Sequence, residues 1–208
     1  MEGLDYMKSK ENKNGKIYLE AILDAKNNCE KIDHSRIFKV NPEKLFMRLI
    51  TEDNIAVLTY DYWKSLGEAR YVEFPQPKRT VILIDEIDLQ KESKKYYKNK
   101  KDYMKFPGLE FMEVKQYSPY LIHELQSKHR DLDIFILGDS RLYWKCFDIA
   151  DNLIITYVDT TAYGVPTSEL IEFPKIENTV WRETMATILD DLTTVVEYDR
   201  INLKGWDD

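Results

Sequence analysis

Five short, largely apolar runs constrain this chain more than any other feature. They are Ile17 to Leu23 (IYLEAIL), Ile55 to Leu58 (IAVL), Thr80 to Ile84 (TVILI), Asp133 to Leu137 (DIFIL) and Leu153 to Val158 (LIITYV). A strand with one wet face alternates polar and apolar residues, whereas a strand covered on both faces reads as a continuous apolar run. Between these runs lie segments with helix punctuation. Asn41-Pro42-Glu43 opens a helix through Leu49: Asn41 caps it, Pro42 suits its first turn, and Glu43 sits at the positive end of its dipole. Asp61 to Leu66 reads as a short helix stopped by Gly67. Ser118-Pro119 opens a helix to about His129, and Ser140 to Phe147 forms another. Strands alternating with helices predict an α/β fold around a mostly parallel central sheet. Leu109 to Val114 is a further strand candidate. Two tail segments, Trp181 to Ala186 and Thr194 to Asn202, have no helix between them, which predicts an antiparallel C-terminal edge.

The length of 208 residues suits one domain. We place it at 16–208, preceded by a polar flexible arm at 1–15. With 43% hydrophobic and 32% charged residues, the composition is neither that of a disordered chain nor that of a membrane protein. No apolar run approaches the roughly 18 residues of a spanning helix. The N-terminus lacks the apolar stretch of a signal peptide, so the expectation is a cytoplasmic protein, monomeric or a small homo-oligomer, without a membrane partner. A net charge of −7 argues against a dedicated nucleic-acid binder. One basic run, Lys91 to Lys105, lies in a Lys/Tyr-rich excursion at about 88–108. It reads as a solvated excursion between two strands, with a phosphate or nucleic-acid patch as the alternative. Cys29 and Cys146 form no CxxC pair and show no metal-ligand spacing, so they read as reduced structural thiols with no metal expected.

In sheets of this kind ligands sit beyond the carboxyl ends of the strands, near helix N-termini. That rule directs attention to Glu43, to Thr59–Tyr62 and to the Gly138–Arg141 turn.

The segment Ile134 to Asp159, IFILGDSRLYWKCFDIADNLIITYVD, resembles the dihydrofolate reductase family. That family has an apolar strand, a Gly-Gly-x-x-(aliphatic)-Tyr turn into a helix, an Ala-Asp step, and a strand ending in Thr-x-(aliphatic)-Asp. Gly138, Leu142 and Tyr143 match the turn, Ala150-Asp151 the step, and Thr156 with Asp159 the strand end. Downstream, Phe173-Pro174 and Trp181 resemble the family's Phe-Pro and following Trp. Upstream, Trp63-x-Ser65-Leu66-Gly67 resembles its Trp-x-Ser-Ile-Gly step. From that step an ungapped backward alignment sets Thr51 at the helix-end threonine and Glu43 at the active-site carboxylate. The resemblance spans most of residues 16–203. It implies a dihydrofolate reductase-like three-layer fold and reduction of 7,8-dihydrofolate to tetrahydrofolate by NADPH.

On this resemblance, Glu43 binds the pterin's amino group and ring N–H, and the Thr156 hydroxyl bridges to that carboxylate. Ala21, Val40, Met47 and Leu66 line the substrate slot, and Lys78 falls near the family's arginine for the substrate's glutamate tail. The cofactor side is implied at Tyr60, Tyr62, Gly138, Asp139, Ser140, Arg141, Leu142 and Tyr143. Here the chain departs from the family pattern. The second glycine of the Gly-Gly pair is Asp139, and a carboxylate near a diphosphate is repulsive unless it turns away. Thr59-Tyr60-Asp61-Tyr62 stands where the family has Gly-Arg-x-Thr, so the arginine that reads the 2′-phosphate is missing. Residues 26–37 lack the glycine and Pro-Trp of the loop that closes over nicotinamide, and Phe38 is the candidate stand-in for that Trp. Two readings follow: an NADPH-dependent reductase with a divergent cofactor clamp, or a catalytically inactive member of the fold used as a binding or structural module.

Overall fold

A computed structural model describes residues 15–31, 51–71, 74, 77–87, 100–106, 108–158, 168 and 170–201. The helix expected over 41–49, together with Phe38, Val40, Glu43, Met47 and Asp159, lies outside the described residues. Each of the five apolar runs forms a strand. In chain order the strands are β1 (Ile17–Leu23), β2 (Asn28–Glu30), β3 (Ile55–Thr59), β4 (Arg79–Ile84), β5 (Leu109–Glu113), β6 (Ile134–Ile136), β7 (Asn152–Val158), β8 (Leu170–Glu172), β9 (Trp181–Asp190) and β10 (Thr193–Arg200). The described α-helices are α1 (Tyr60–Ser65), α2 (Lys100–Lys105), α3 (Pro119–Lys128) and α4 (Ser140–Cys146).

Eight strands form one sheet in the order β5-β4-β3-β6-β1-β7-β10-β9. β5 through β7 are mutually parallel. The C-terminal hairpin closes this side as the antiparallel edge: β10 runs against β7, and β9 runs against β10. β2 and β8 form a separate small antiparallel sheet. They were not foreseen, because three-residue strands carry no periodicity.

The pleat sends alternate residues into two cores. Leu19, Ala21, Leu23, Val57, Ile136 and Ile155 pack with Ile122 and Leu125 of α3, with Leu142 and Tyr143 of α4, and with Phe173 and Trp181. Ala56, Leu58, Ile82, Phe135 and Ile154 pack on the other side with Tyr60 and Trp63 of α1 and with Phe74 and Phe106. The sheet therefore has helical cover on both faces, and the strands read as apolar runs for that reason. At the amino ends of the strands, Lys16 N donates to Asp133 Oδ1 (2.7 Å) and Ile17 N to Asp151 Oδ2 (2.8 Å), which locks β1 between β6 and β7.

Local chemistry sets the helix ends. Thr59 caps α1 by accepting from Tyr62 N, and Gly67 adopts φ +51° just past its end. Ser118 caps α3, accepting from Tyr120 N, with Pro119 in the first turn. Part of the Lys/Tyr-rich excursion is packed rather than solvated. Asp102 of α2 is 2% exposed and accepts from Arg70 Nε (3.1 Å) and the Tyr71 hydroxyl. Phe106 meets the Trp63 ring edge-on at 5.2 Å. The lysines around Asp102 hid this anchor, while residues 91–99 lie outside the described part.

Candidate functional site

After β3 the chain leaves toward β4, whereas after β6 it leaves toward β7, on the far side of β1. The carboxyl ends of β3 and β6 thus flank a point where the winding reverses, the usual ligand crevice of such sheets. Two of the expected cofactor segments meet there: Thr59–Tyr62 follows β3 and Gly138–Arg141 follows β6.

Asp139 is the centre of that meeting. It is completely buried, and its carboxylate caps α4 by accepting from Arg141 N (2.8 Å). The Thr59 hydroxyl donates to its Oδ2 at 2.6 Å. Arg141 adds Nε to Oδ1 (3.1 Å) and Nη2 to Oδ2 (2.7 Å), and the same Nη2 reaches Asp61 Oδ2 at 3.1 Å. Partial burial disfavours the Arg141 charge, but the Asp139 hydrogen bonds and charge, with Tyr117 and Asp61 adding, outweigh this and hold its pKa above the ordinary value. The guanidinium also lies over the Tyr117 ring, 5.3 Å from its centroid.

The surrounding donors are also engaged. Gly138 N donates to the Tyr143 hydroxyl (2.7 Å). Ser140 donates through N (3.2 Å) and Oγ (2.9 Å) to the Lys31 carbonyl. Gly138 has φ +75°, and a Cβ built there would lie 2.4–2.5 Å from the Tyr62 ring, so that ring rests directly on the glycine backbone. The 138–139 peptide is trans. Tyr60, by contrast, is buried in the core beside Lys64. Leu142 and Tyr143 are fully buried, with Tyr143 edge-on to Phe173.

On the substrate side, Thr156 is buried on β7 and pairs in register with Ile22 of β1 and Val195 of β10. Ala21 pairs with Ile155 and points into the opposite core. The pleat therefore does not bring Ala21 to Thr156; Ile22 is the β1 residue on that face. Leu66 is half-buried against the core on Thr156's face of the sheet, and Lys78 is exposed just before β4. Glu43, Val40 and Met47 lie outside the described residues. The sequence reading missed Glu20, a carboxylate only 4% exposed that pairs with Ile154 and so shares the face of Thr156. Its signal was a single charge inside an otherwise apolar strand run.

A separate cavity of about 600 Å³ opens at the amino ends of β1 and β7, lined by Lys16, Gln126, Asp151, Arg182, Asp199 and Arg200 among others. It lies at the opposite end of the sheet from the crevice. Arg200, on its wall, donates to the carbonyls of Ala150 and Phe147, both at 2.7 Å.

NADPH, the cofactor that the resemblance implies, does not fit the crevice as it stands. The anion position at the start of α4 holds a carboxylate, the nearby donors serve internal acceptors, and an aromatic ring covers the glycine.

No protein-family model and no curated protein matches this chain. Among solved structures, the dihydrofolate reductase of Enterococcus faecalis, in complex with NADP(H) and RAB-propyl, superposes with a TM-score of 0.58. The match covers 90% of this chain and 97% of the enzyme, at 15% sequence identity. With the strand order, the antiparallel C-terminal hairpin and the helices on both faces, this similarity gives the chain the dihydrofolate reductase fold.

Proposed function

We propose that this chain takes a folate-type pterin, with 7,8-dihydrofolate as the reference ligand, on the sheet face shared by Ile22 and Thr156. The observation that carries the reading is the burial of Thr156 on that face, beside the carboxyl end of the central strand β1. A hydroxyl there has a role if a carboxylate and a pterin amino group share its hydrogen bonds. Glu43, by its alignment, is the carboxylate that would accept from the pterin and favour its protonated form. Glu20, buried on the same face, is the second candidate.

In the family that this chain resembles, NADPH supplies a hydride and dihydrofolate becomes tetrahydrofolate, an oxidoreductase step of one-carbon metabolism. The second reading, a non-catalytic binding module of the same fold, rests on the Asp139–Arg141–Asp61 cluster, in which Asp139 alone is fully buried.

Two assays on the purified chain separate these readings. The first is dihydrofolate or methotrexate binding by tryptophan fluorescence. The second is methotrexate-sensitive NADPH consumption with dihydrofolate. Binding with turnover identifies a reductase, and binding without turnover identifies the module. Absence of binding to either ligand at millimolar concentration would sink the pterin reading. Glu43→Gln should weaken pterin binding at least tenfold at neutral pH, and less at low pH where the pterin is already protonated. Full affinity in that variant, with a loss in Glu20→Gln instead, would transfer the carboxylate role to Glu20.

A further inference from the structure

We propose that this chain excludes phosphorylated dinucleotides, because its own side chains fill and satisfy the crevice between β3 and β6. The inference concerns the cofactor side alone and does not rest on the pterin reading.

Three observations converge on it. The first is donor occupancy. A diphosphate is held by backbone N–H groups, hydroxyls and guanidinium groups aimed at it. In the crevice the Thr59 hydroxyl, Arg141 N and two guanidinium nitrogens of Arg141 all donate to Asp139. Gly138 N donates to Tyr143, and both Ser140 donors serve the Lys31 carbonyl. An incoming phosphate would have to win these groups from acceptors already placed at 2.6–3.2 Å.

The second is space. The Tyr62 ring lies where a Cβ on Gly138 would be, so the backbone there is covered rather than open to a ligand. Asp139 has no exposed surface.

The third is charge. Asp139 and Asp61 share the single Arg141, which leaves this triad one negative charge in excess. The carboxyl end of the neighbouring strand β4 runs into Asp85 and Glu86, which add no positive charge. A diphosphate brought to this partly exposed rim meets like charge, and such pairs repel. The cluster thus joins β3 to β6 in the place of a ligand: the Asp139 carboxylate is the anion that the crevice holds.

The test is a titration of the full-length protein with NADPH, followed by the fluorescence of the bound nicotinamide. The wild type should show no saturation up to millimolar NADPH. A double variant, Asp139→Gly with Tyr62→Thr, frees the Thr59 and Arg141 donors and uncovers Gly138. It should gain affinity by about a hundredfold or more if it melts as a folded protein. Should that variant not fold, Asp61→Asn removes the excess charge from a partly exposed position and should raise NADPH affinity several-fold, with the gain shrinking in high salt. Micromolar NADPH binding by the wild type overturns the proposal. So does a folded double variant, or in its place a folded Asp61→Asn variant, that binds no better than wild type. Dihydrofolate binding without NADPH is measured in parallel; its failure would count against the pterin reading and leave the dinucleotide result standing.

Discussion

Asp139 and Arg141 hold each other, but water reaches them unequally. The aspartate has no exposed side-chain surface, while the arginine is 38% exposed. Removing one partner therefore has different consequences at the two ends. Arg141→Ala strands a carboxylate that cannot reach solvent, and a broken buried pair of this kind costs about 3–5 kcal/mol. Asp139→Asn keeps a cap and most of the volume and leaves a cation that can turn to water, so it should cost nearer 2 kcal/mol, about one charge-assisted hydrogen bond. Urea denaturation of the two variants measures the difference, and equal losses would show that the pair is less buried than its geometry implies. The sequence displayed Asp139 only as a departure from a Gly-Gly pair. Its partner Thr59 lies 80 positions away, as Asp61 does from Arg141, and the Tyr62 ring on Gly138 is a contact across two strands. No local pattern carries such pairings; only the strand order brings them together.

The elements differ in how openly the sequence announces them. β1, β3, β4, β6 and β7 were legible because burial on both faces removes polar residues from a strand. α1 and α3 were legible through Gly67, Ser118 and Pro119, whose conformational preferences act locally, while the Thr59 cap of α1 was not read. α2 was not, because its contacts come from Asp102 and from Phe106 just beyond its end, in a lysine-rich surround. Phe106 is 4% exposed and touches Trp63, Phe74 and Tyr71. Phe106→Ala should therefore destabilise the protein by about 3–5 kcal/mol, as for a phenylalanine in a packed core. Substitution of exposed Met104, on the same helix, should change stability by less than about 0.5 kcal/mol. Thermal melts of the two variants check this, and similar melting temperatures would mean that α2 contributes little to the core. Ala21 makes the opposite point. The strand was foreseen correctly, yet a one-residue offset in a pleat decides which face a side chain serves.

Over the whole molecule, two cores share one sheet, and Cys146 reports on the larger of them. It is fully buried, and burial pushes its thiol up to about 12. Because only the thiolate reacts, alkylation at pH 8 should proceed only from molecules in which α4 has detached from the sheet. In a Cys29→Ser background, the labelling rate should rise with urea in step with global unfolding. Rapid labelling of the native protein would show that α4 opens independently. The sheet order also has a consequence for synthesis. β1 is made first but sits between β6 and β7, and its end anchors lie 117 and 134 residues away in sequence. At roughly 5–20 residues per second of translation, the first strand waits on the order of ten seconds before either neighbour leaves the ribosome. Through that interval an apolar segment with both edges open is exposed to other nascent chains. Glu20, in the middle of IYLEAIL, places a charge in that segment during the wait, and so works against aggregation before it has any place in the folded protein.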